Sequence, residues 1–234
     1  MARKVHQARL AKIEEMRPVI ARGGDEGQEL RRLPDDVVEQ LIDEGFFRFA
    51  LPEEMGGENS SSMETIEILE HMAAIDASVA WNVMLGSEIN AMAVGGMDPE
   101  LAKEVYLDNP RVVMCGGGGP GSVPARAERQ PDGSIKVWGQ TTFISGCHNA
   151  TWCFMPAPLM KGDEVELDEN GMPIFNVWML PRDQWEIVDT WDVAGLRGSG
   201  SHDVKADGAV IPAKFAGASL WTVPAHYPNP VYRM

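Results

Sequence analysis

An α+β fold, all-helical over residues 1–110 and β from residue 111 onward, is predicted from three observations. Apolar residues recur every three or four positions through the first half of the chain; from Arg111 they alternate with polar neighbours; and the helix-start signals at Pro34, Ser61, Asp76 and Asp98 all lie in the first half. With 234 residues, 44% of them hydrophobic and 24% charged, the chain can bury the core of one large domain or of two small ones.

In the helical half, Leu10, Ile13, Met16 and Ile20 form a one-sided stripe, predicting one amphipathic helix that stops at Gly23-Gly24. Pro34 followed by Asp35 and Asp36 starts the next helix, because proline presets φ and the carboxylates face the positive end of the dipole. Val37, Val38, Leu41 and Ile42 then share a face up to Gly45. Ser61 and Glu64 have capping-box spacing, so a third helix is expected to turn Met63, Ile66, Leu69, Met72 and Ala73 inward. Asp76 caps a small-residue helix carrying Val79, Ala80, Val83 and Met84, and Asp98-Pro99-Glu100 opens a short one ending near Asn109-Pro110.

In the β half, Val123, Ala125 and Ala127 alternate with polar neighbours, Pro131-Asp132-Gly133 makes a turn, and Ile135 to Val137 resumes the alternation, which predicts a hairpin. Further strand-like runs are Thr141 to Ile144, Trp152 to Met155, Ile174 to Leu180, Trp185 to Val188 and Asp203 to Val210. Between two of them, the acidic stretch Gly162 to Gly171 reads as a solvated loop. Residues 223–230 hold too many prolines for a strand or helix interior and read as a connector. The expected domains are therefore 1–110 (helical), 111–222 (β) and a proline-rich connector, 223–234.

Charge and cysteine usage narrow the function classes. Twenty Lys and Arg against 35 Asp and Glu leave a formal charge of −15, which repels a polyanion and speaks against nucleic acid or an anionic membrane as partner. Cys115, Cys147 and Cys153 are odd in number and form no CxxC pair, as expected of reduced thiols in a cytoplasmic chain. No run approaches the length of a membrane span, and the N-terminus lacks an apolar leader core.

Single motifs carry little chemistry by themselves. Gly116 to Gly121 (GGGGPG) satisfies G-x-G-x-x-G, but a dinucleotide fingerprint opens a helix, and here Ser122-Val123-Pro124 opens a strand. The glycines instead let backbone approach something flat or crowded. No histidine has metal-ligand spacing, and Cys147 and His148, adjacent on one strand, are expected to point to opposite faces. Ser199, Ser201, His202 and Asp203 have the composition of a catalytic triad, yet neighbours along a strand do not converge.

The longer motifs point to a family. Leu51 to Gly57 (LPEEMGG), following Gly45-Phe46-Phe47, resembles the "GlfrxxxPeexGG" junction of the acyl-CoA dehydrogenase superfamily. Gly139 to Gly146 (GQTTFISG) resembles its "GxKxWITN" strand, and Val193 to Ser201 with Val210-Ile211-Pro212 resembles its "GxRGS … VxVP" segment. The resemblance implies an N-terminal helical domain, a β-barrel-like middle domain that faces a flavin (FAD or FMN), and a C-terminal four-helix bundle that is absent from these 234 residues. Carried across, Phe143, Ile144 and Ser145 stand at the "WIT" positions, with Phe143 against the ring and the Ser145 hydroxyl on flavin N5. The family's "VTEPxxGSD" loop falls on 115–123: Gly121 and Ser122 match, whereas Gly116 replaces Thr, Gly117 replaces Glu and Val123 replaces Asp. Backbone amides from Cys115 and Gly116 onward are left to hold the pyrimidine edge.

Ser145 to Trp152 (SGCHNATW) resembles the "SGCxHAxW" segment of the type-2 branch, which includes two-component monooxygenases acting on aromatic substrates. That branch implies reduced flavin delivered by a separate flavin reductase, a water-excluding site, a hydrogen-bond donor near N5 and, in the full-length form, a homotetramer. Two alternatives stand beside it. One is an acyl-CoA dehydrogenase, which needs a carboxylate base that the family takes from the C-terminal bundle. The other is a catalytically silent fragment that lacks this bundle.

Overall fold

The computed structural model describes residues 2–118, 123–219 and 226–233. Its helices are α1 (Ala2–Glu15), α2 (Arg17–Leu30), α3 (Asp35–Asp43), α4 (Ser62–Ala73), α5 (Ala77–Gly96) and α6 (Pro99–Tyr106). The start signals act as caps. Ser61 and Glu64 close a reciprocal capping box, Asp76 accepts from Val79 N–H at 2.8 Å, and Asp98 accepts from Glu100 N–H at 3.0 Å. Each cap of this kind contributes about 1 kcal/mol.

Three helical expectations are corrected. The stripe from Leu10 to Ile20 spans two helices, α1 and α2, divided at Met16 ahead of Pro18. Gly23 and Gly24 do not end a helix; they lie inside α2, which runs on to a left-handed C-cap at Arg31 (φ 56°). They are spacing residues: a Cβ on Gly24 would stand 2.1 Å from Asp76 Oδ2, and one on Gly23 would stand 2.9 Å from Val37 Cγ1. On α4 the core takes Ile68 and Met72, while Met63 (65% exposed), Ile66 (55%) and Ala73 face outward. The helix carries two apolar stripes, and periodicity alone does not say which one meets α5.

α5 is the buried spine of the helical half, with Val79, Val83 and Val94 fully enclosed. Gly86 admits the Phe47 ring, whose Cδ1 would lie 2.5 Å from a Cβ there. Asn90 donates to Phe47 O at 2.9 Å, and the Tyr106 hydroxyl donates to Asn90 O at 3.0 Å.

The strands are β1 (Met114–Gly116), β2 (Val123–Arg129), β3 (Ile135–Thr141), β4 (Trp152–Lys161), β5 (Glu164–Val165), β6 (Phe175–Pro181), β7 (Glu186–Val188), β8 (Asp203–Ile211) and β9 (Ala216–Ser219). They form one curled, mixed sheet of order β7-β8-β3-β2-β4-β6-β9, with β1 and β5 paired to β4. The predicted hairpin is β2–β3, and the acidic stretch is an exposed extension in which β5 folds back on the end of β4. The long β4 joins the two halves of the sheet: Trp152 to Pro158 pair with β6, and Leu159 and Met160 pair with β2. Inside the curl lies a core of Val137, Ile144, Cys147, Trp178, Leu180 and Val204, among others.

The run Thr141 to Ile144 is not a strand. β3 ends at Thr141, and Phe143 takes up φ +60°, which turns the chain into a loop lasting to Thr151. Of the proline-rich run, residues 226–230 are described. Just beyond them Tyr232 returns to the helical half, where its hydroxyl donates to Ala50 O at 2.8 Å.

Candidate functional site

Strand register gathers several connections at one end of the sheet. Gly116, the last residue of β1, lies beside Phe154 near the start of β4; Val123 opens β2 opposite Gln140; and Thr141, the last residue of β3, pairs with Val204 at the start of β8. The end of β1, the 142–151 loop and the 189–202 loop therefore emerge together. α2 and α5 pack against this end. Arg31 holds Asp189 with two bonds of 2.7 Å, and Asn82 on α5 donates to Gly198 O at 3.2 Å and accepts from Asn149 Nδ2 at 3.0 Å.

The sequence-predicted site residues occupy distinct settings. Cys115 is buried, and burial beside Cys153 pushes its thiol well above the usual range, so only its backbone is available to a ligand. Gly116 must be glycine, since at φ +153° a Cβ would stand 2.4 Å from Phe154 Cβ. Gly117 (φ +129°) and Gly118 have open space where a Cβ would stand. Gly121 and Ser122 lie outside the described residues. Ile144 is fully buried and its N–H donates to His202 O at 3.0 Å, which makes it an anchor for its two neighbours.

Of these neighbours, Phe143 faces outward and Ser145 is buried. The left-handed backbone of Phe143 costs a non-glycine residue roughly 1–2 kcal/mol and turns its ring out to 55% exposure. There it meets the Trp191 ring edge-on, with centroids 5.9 Å apart. Ser145 is 7% exposed; its oxygen accepts from Trp81 Nε1–H at 3.0 Å and lies 2.7 Å from Ser201 Oγ. Ser201 Oγ lies in turn 2.6 Å from Ser199 Oγ. Beside this row, an apolar cleft of about 440 Å³ runs between α4 and α5, with Ile66, Leu69, Trp81, Met84 and Leu196 in its walls.

Serines 199 and 201 thus converge, contrary to expectation, because residues 197–199 form a tight turn and Gly200 at φ +57° redirects the chain. No triad results. His202 points away, its Nδ1 accepting from Thr190 N–H and Trp191 N–H at 3.2 Å each. This places its proton on Nε2, and burial lowers its pKa. The 3.3 Å approach of Asp189 Oδ1 to the same nitrogen is then a contact, not an ion pair. Asp203 accepts from Thr190 Oγ1 and Gln140 Nε2.

Cys147 and His148 also depart from expectation, because they lie in the loop and not on a strand. Their Sγ and Nδ1 are 3.8 Å apart. Burial pushes the thiol up to about 12 and lowers the imidazole to about 4, so near neutrality both are uncharged and form no thiolate–imidazolium pair. Arg197 is spent on Gln28 O, Asp192 and Val193 O. Among the described residues no cluster of ligand side chains could hold a metal ion.

Sequence reasoning missed Trp81 and Asn82 as site residues. The one available signal was Trp81, the single aromatic residue of α5.

Comparison with known proteins bears on the fold and the family. Residues 6–108 match the family described as acyl-CoA dehydrogenase, N-terminal domain. Over 208 residues the chain is 30% identical to the flavin-dependent monooxygenase oxygenase subunit HsaA of Mycobacterium tuberculosis, a match covering 88% of this chain and 49% of HsaA. It is 32% identical over 180 residues to the indole-3-acetate monooxygenase of Acinetobacter baumannii, covering 77% of this chain and 43% of that protein. A crystal structure of the M. tuberculosis HsaA monooxygenase aligns with a TM-score of 0.81 at 28% identity, covering 98% of this chain and 61% of the other. The chain spans about half the length of the curated relatives it matches. It belongs to the acyl-CoA dehydrogenase superfamily, within which it is similar to proteins described as flavin-dependent monooxygenase oxygenase subunits.

Proposed function

We propose that this chain forms the flavin-facing part of a two-component monooxygenase oxygenase component that hydroxylates a small aromatic substrate with reduced flavin (FMN or FAD) and O2. The observation that carries the reading is the Ser145 hydroxyl, held by Trp81 and Ser201 beside the outward-turned Phe143 ring. The residues present fit a flavin: Gly117 and Gly118 leave the backbone open to a planar ring or a phosphate, and Phe143 offers it an aromatic face.

Reduced flavin, when bound, supplies the electrons that activate O2. The chain's own residues do the rest. Ser145 donates a hydrogen bond at N5, while Phe143, Trp191 and Leu196 exclude water beside it. The apolar cleft beside Trp81 suits an aromatic substrate, whose ring gains more from burial than from hydrogen bonding. A flavin reductase is the expected partner, and exposed Met63 and Met92 fit the homo-oligomer expected of the full-length form. Three free thiols fit a reducing, cytoplasmic setting.

Anaerobic titration with FMN and FAD, each oxidised and reduced, tests the reading. Preferential binding of a reduced flavin is expected, and Ser145→Ala is expected to uncouple oxygen use from hydroxylation. Reduction of bound oxidised flavin by an acyl-CoA, with no reductase present, would decide for a dehydrogenase instead.

A further inference from the structure

The Ser145 oxygen sits at the end of a row of three hydroxyls. It accepts the indole N–H of Trp81 at 3.0 Å and lies 2.7 Å from Ser201 Oγ, which lies 2.6 Å from Ser199 Oγ. Protons can run along this row in two directions. If Ser145 donates to Ser201 and Ser201 to Ser199, the Ser199 proton has no acceptor among the described residues, and Ser199 is only 1% exposed. If Ser199 donates to Ser201 and Ser201 to Ser145, the spare proton is that of Ser145, which at 7% exposure is buried less deeply than Ser199. An O–H without an acceptor costs more the more deeply it is enclosed, so the second direction, which leaves the spare proton on the less enclosed Ser145, prevails.

We propose that Ser201 and Trp81 are positioning residues that fill both lone pairs of the Ser145 oxygen and so make its hydroxyl an obligate donor toward the ligand, with Ser199 setting the direction of the row. The proposal rests on reading the site as a flavin site. A hydroxyl oxygen that already accepts from two donors cannot accept from the flavin; it can only donate. Without Ser201 or Trp81 the hydroxyl regains an acceptor role and a freer rotor, and it donates to N5 for less of the time. The two side chains reach Ser145 from different elements, Trp81 from α5 and Ser201 from the loop before β8, so they restrain it independently.

The test is nitrogen-15 NMR of the chain loaded anaerobically with reduced FMN or reduced FAD labelled at N5, together with the dissociation constant of each complex. Ser145→Ala is expected to move the N5 resonance and to weaken binding roughly three- to tenfold, the effect of losing one hydrogen bond. Ser201→Ala and Trp81→Phe keep the Ser145 hydroxyl and are expected to move the resonance in the same direction by a smaller amount. A purely structural role for them would leave the resonance of the bound flavin where it is. If Ser145→Ala moves the signal while Ser201→Ala and Trp81→Phe do not, the proposal falls and the flavin site stands. If Ser145→Ala moves nothing, or the chain binds neither reduced flavin, the flavin-site reading falls and takes the proposal with it. Should one positioning variant fail to fold, the other still decides.

Discussion

Asn82→Ala removes a side chain that ties α5 to both site loops. The amide is 2% exposed; it donates to Gly198 O at 3.2 Å and to Ser78 O at 2.9 Å, and it accepts from Asn149 Nδ2 at 3.0 Å. Losing the Ser78 contact costs little, because that carbonyl belongs to the same helix and keeps the ladder bond of α5. The buried Gly198 carbonyl loses this partner, at about 1–3 kcal/mol, whereas half-buried Asn149 can turn to water at less than 1 kcal/mol. Alanine returns roughly 0.6 kcal/mol through its better helix propensity. The net expectation is a loss of about 2 kcal/mol, read in urea as a fall in midpoint of roughly 0.7–1 M at the slope usual for such chains. Hydrogen exchange at Gly146, whose N–H donates to Ser199 O at 2.9 Å across the two loops, should quicken in parallel. A variant within about 0.5 kcal/mol of the parent, the range of an ordinary surface substitution, would refute the idea that this residue holds the loops on α5.

Gly24→Ala sets propensity against packing. The gain of about 1 kcal/mol expected of a helical Gly→Ala change should be outweighed by the clash with Asp76 and the disturbed cap of α5, so thermal unfolding should come earlier, and a rise in midpoint would refute the spacing role. His148, lowered by burial to about 4, binds its proton more readily in the unfolded chain between that value and the ordinary 6.5. Stability should therefore fall as pH drops through this window, and His148→Asn should flatten the dependence; an unchanged slope in urea midpoint against pH would count against it. Thr141→Val removes a buried hydroxyl that has no hydrogen-bond partner among the described residues, and stability should rise by up to about 1 kcal/mol; a calorimetric loss instead would mean that the hydroxyl has a bonded partner.

The helix starts were legible because each rests on neighbours within four residues: Ser61 with Glu64, Asp76 with Val79, Asp98 with Leu101. The β2–β3 hairpin was legible for the same reason, through alternation and a Pro-Asp-Gly turn. Of the site, Phe143 and Ser145 stand in a recognisable motif, whereas nothing local in the sequence attaches to it Trp81, 64 residues earlier, or Ser201, 56 residues later. Nor does the sequence show that Phe143 leaves the strand, since phenylalanine favours strands and carries no local mark of a left-handed backbone.

By itself, then, the sequence determined the division into a helical and a β half, the capped helix starts, the acidic charge and the superfamily, because periodicity, capping, charge and short motifs depend on residue type and short spacing alone. Only the tertiary structure decided that Gly23 and Gly24 give room to Val37 and Asp76, which stripe of α4 meets the core, and that three serines from two loops form a row ending at the Trp81 indole. Those outcomes turn on contacts between residues far apart in the chain, where packing of α2 and α5 against the sheet end outweighs local preference.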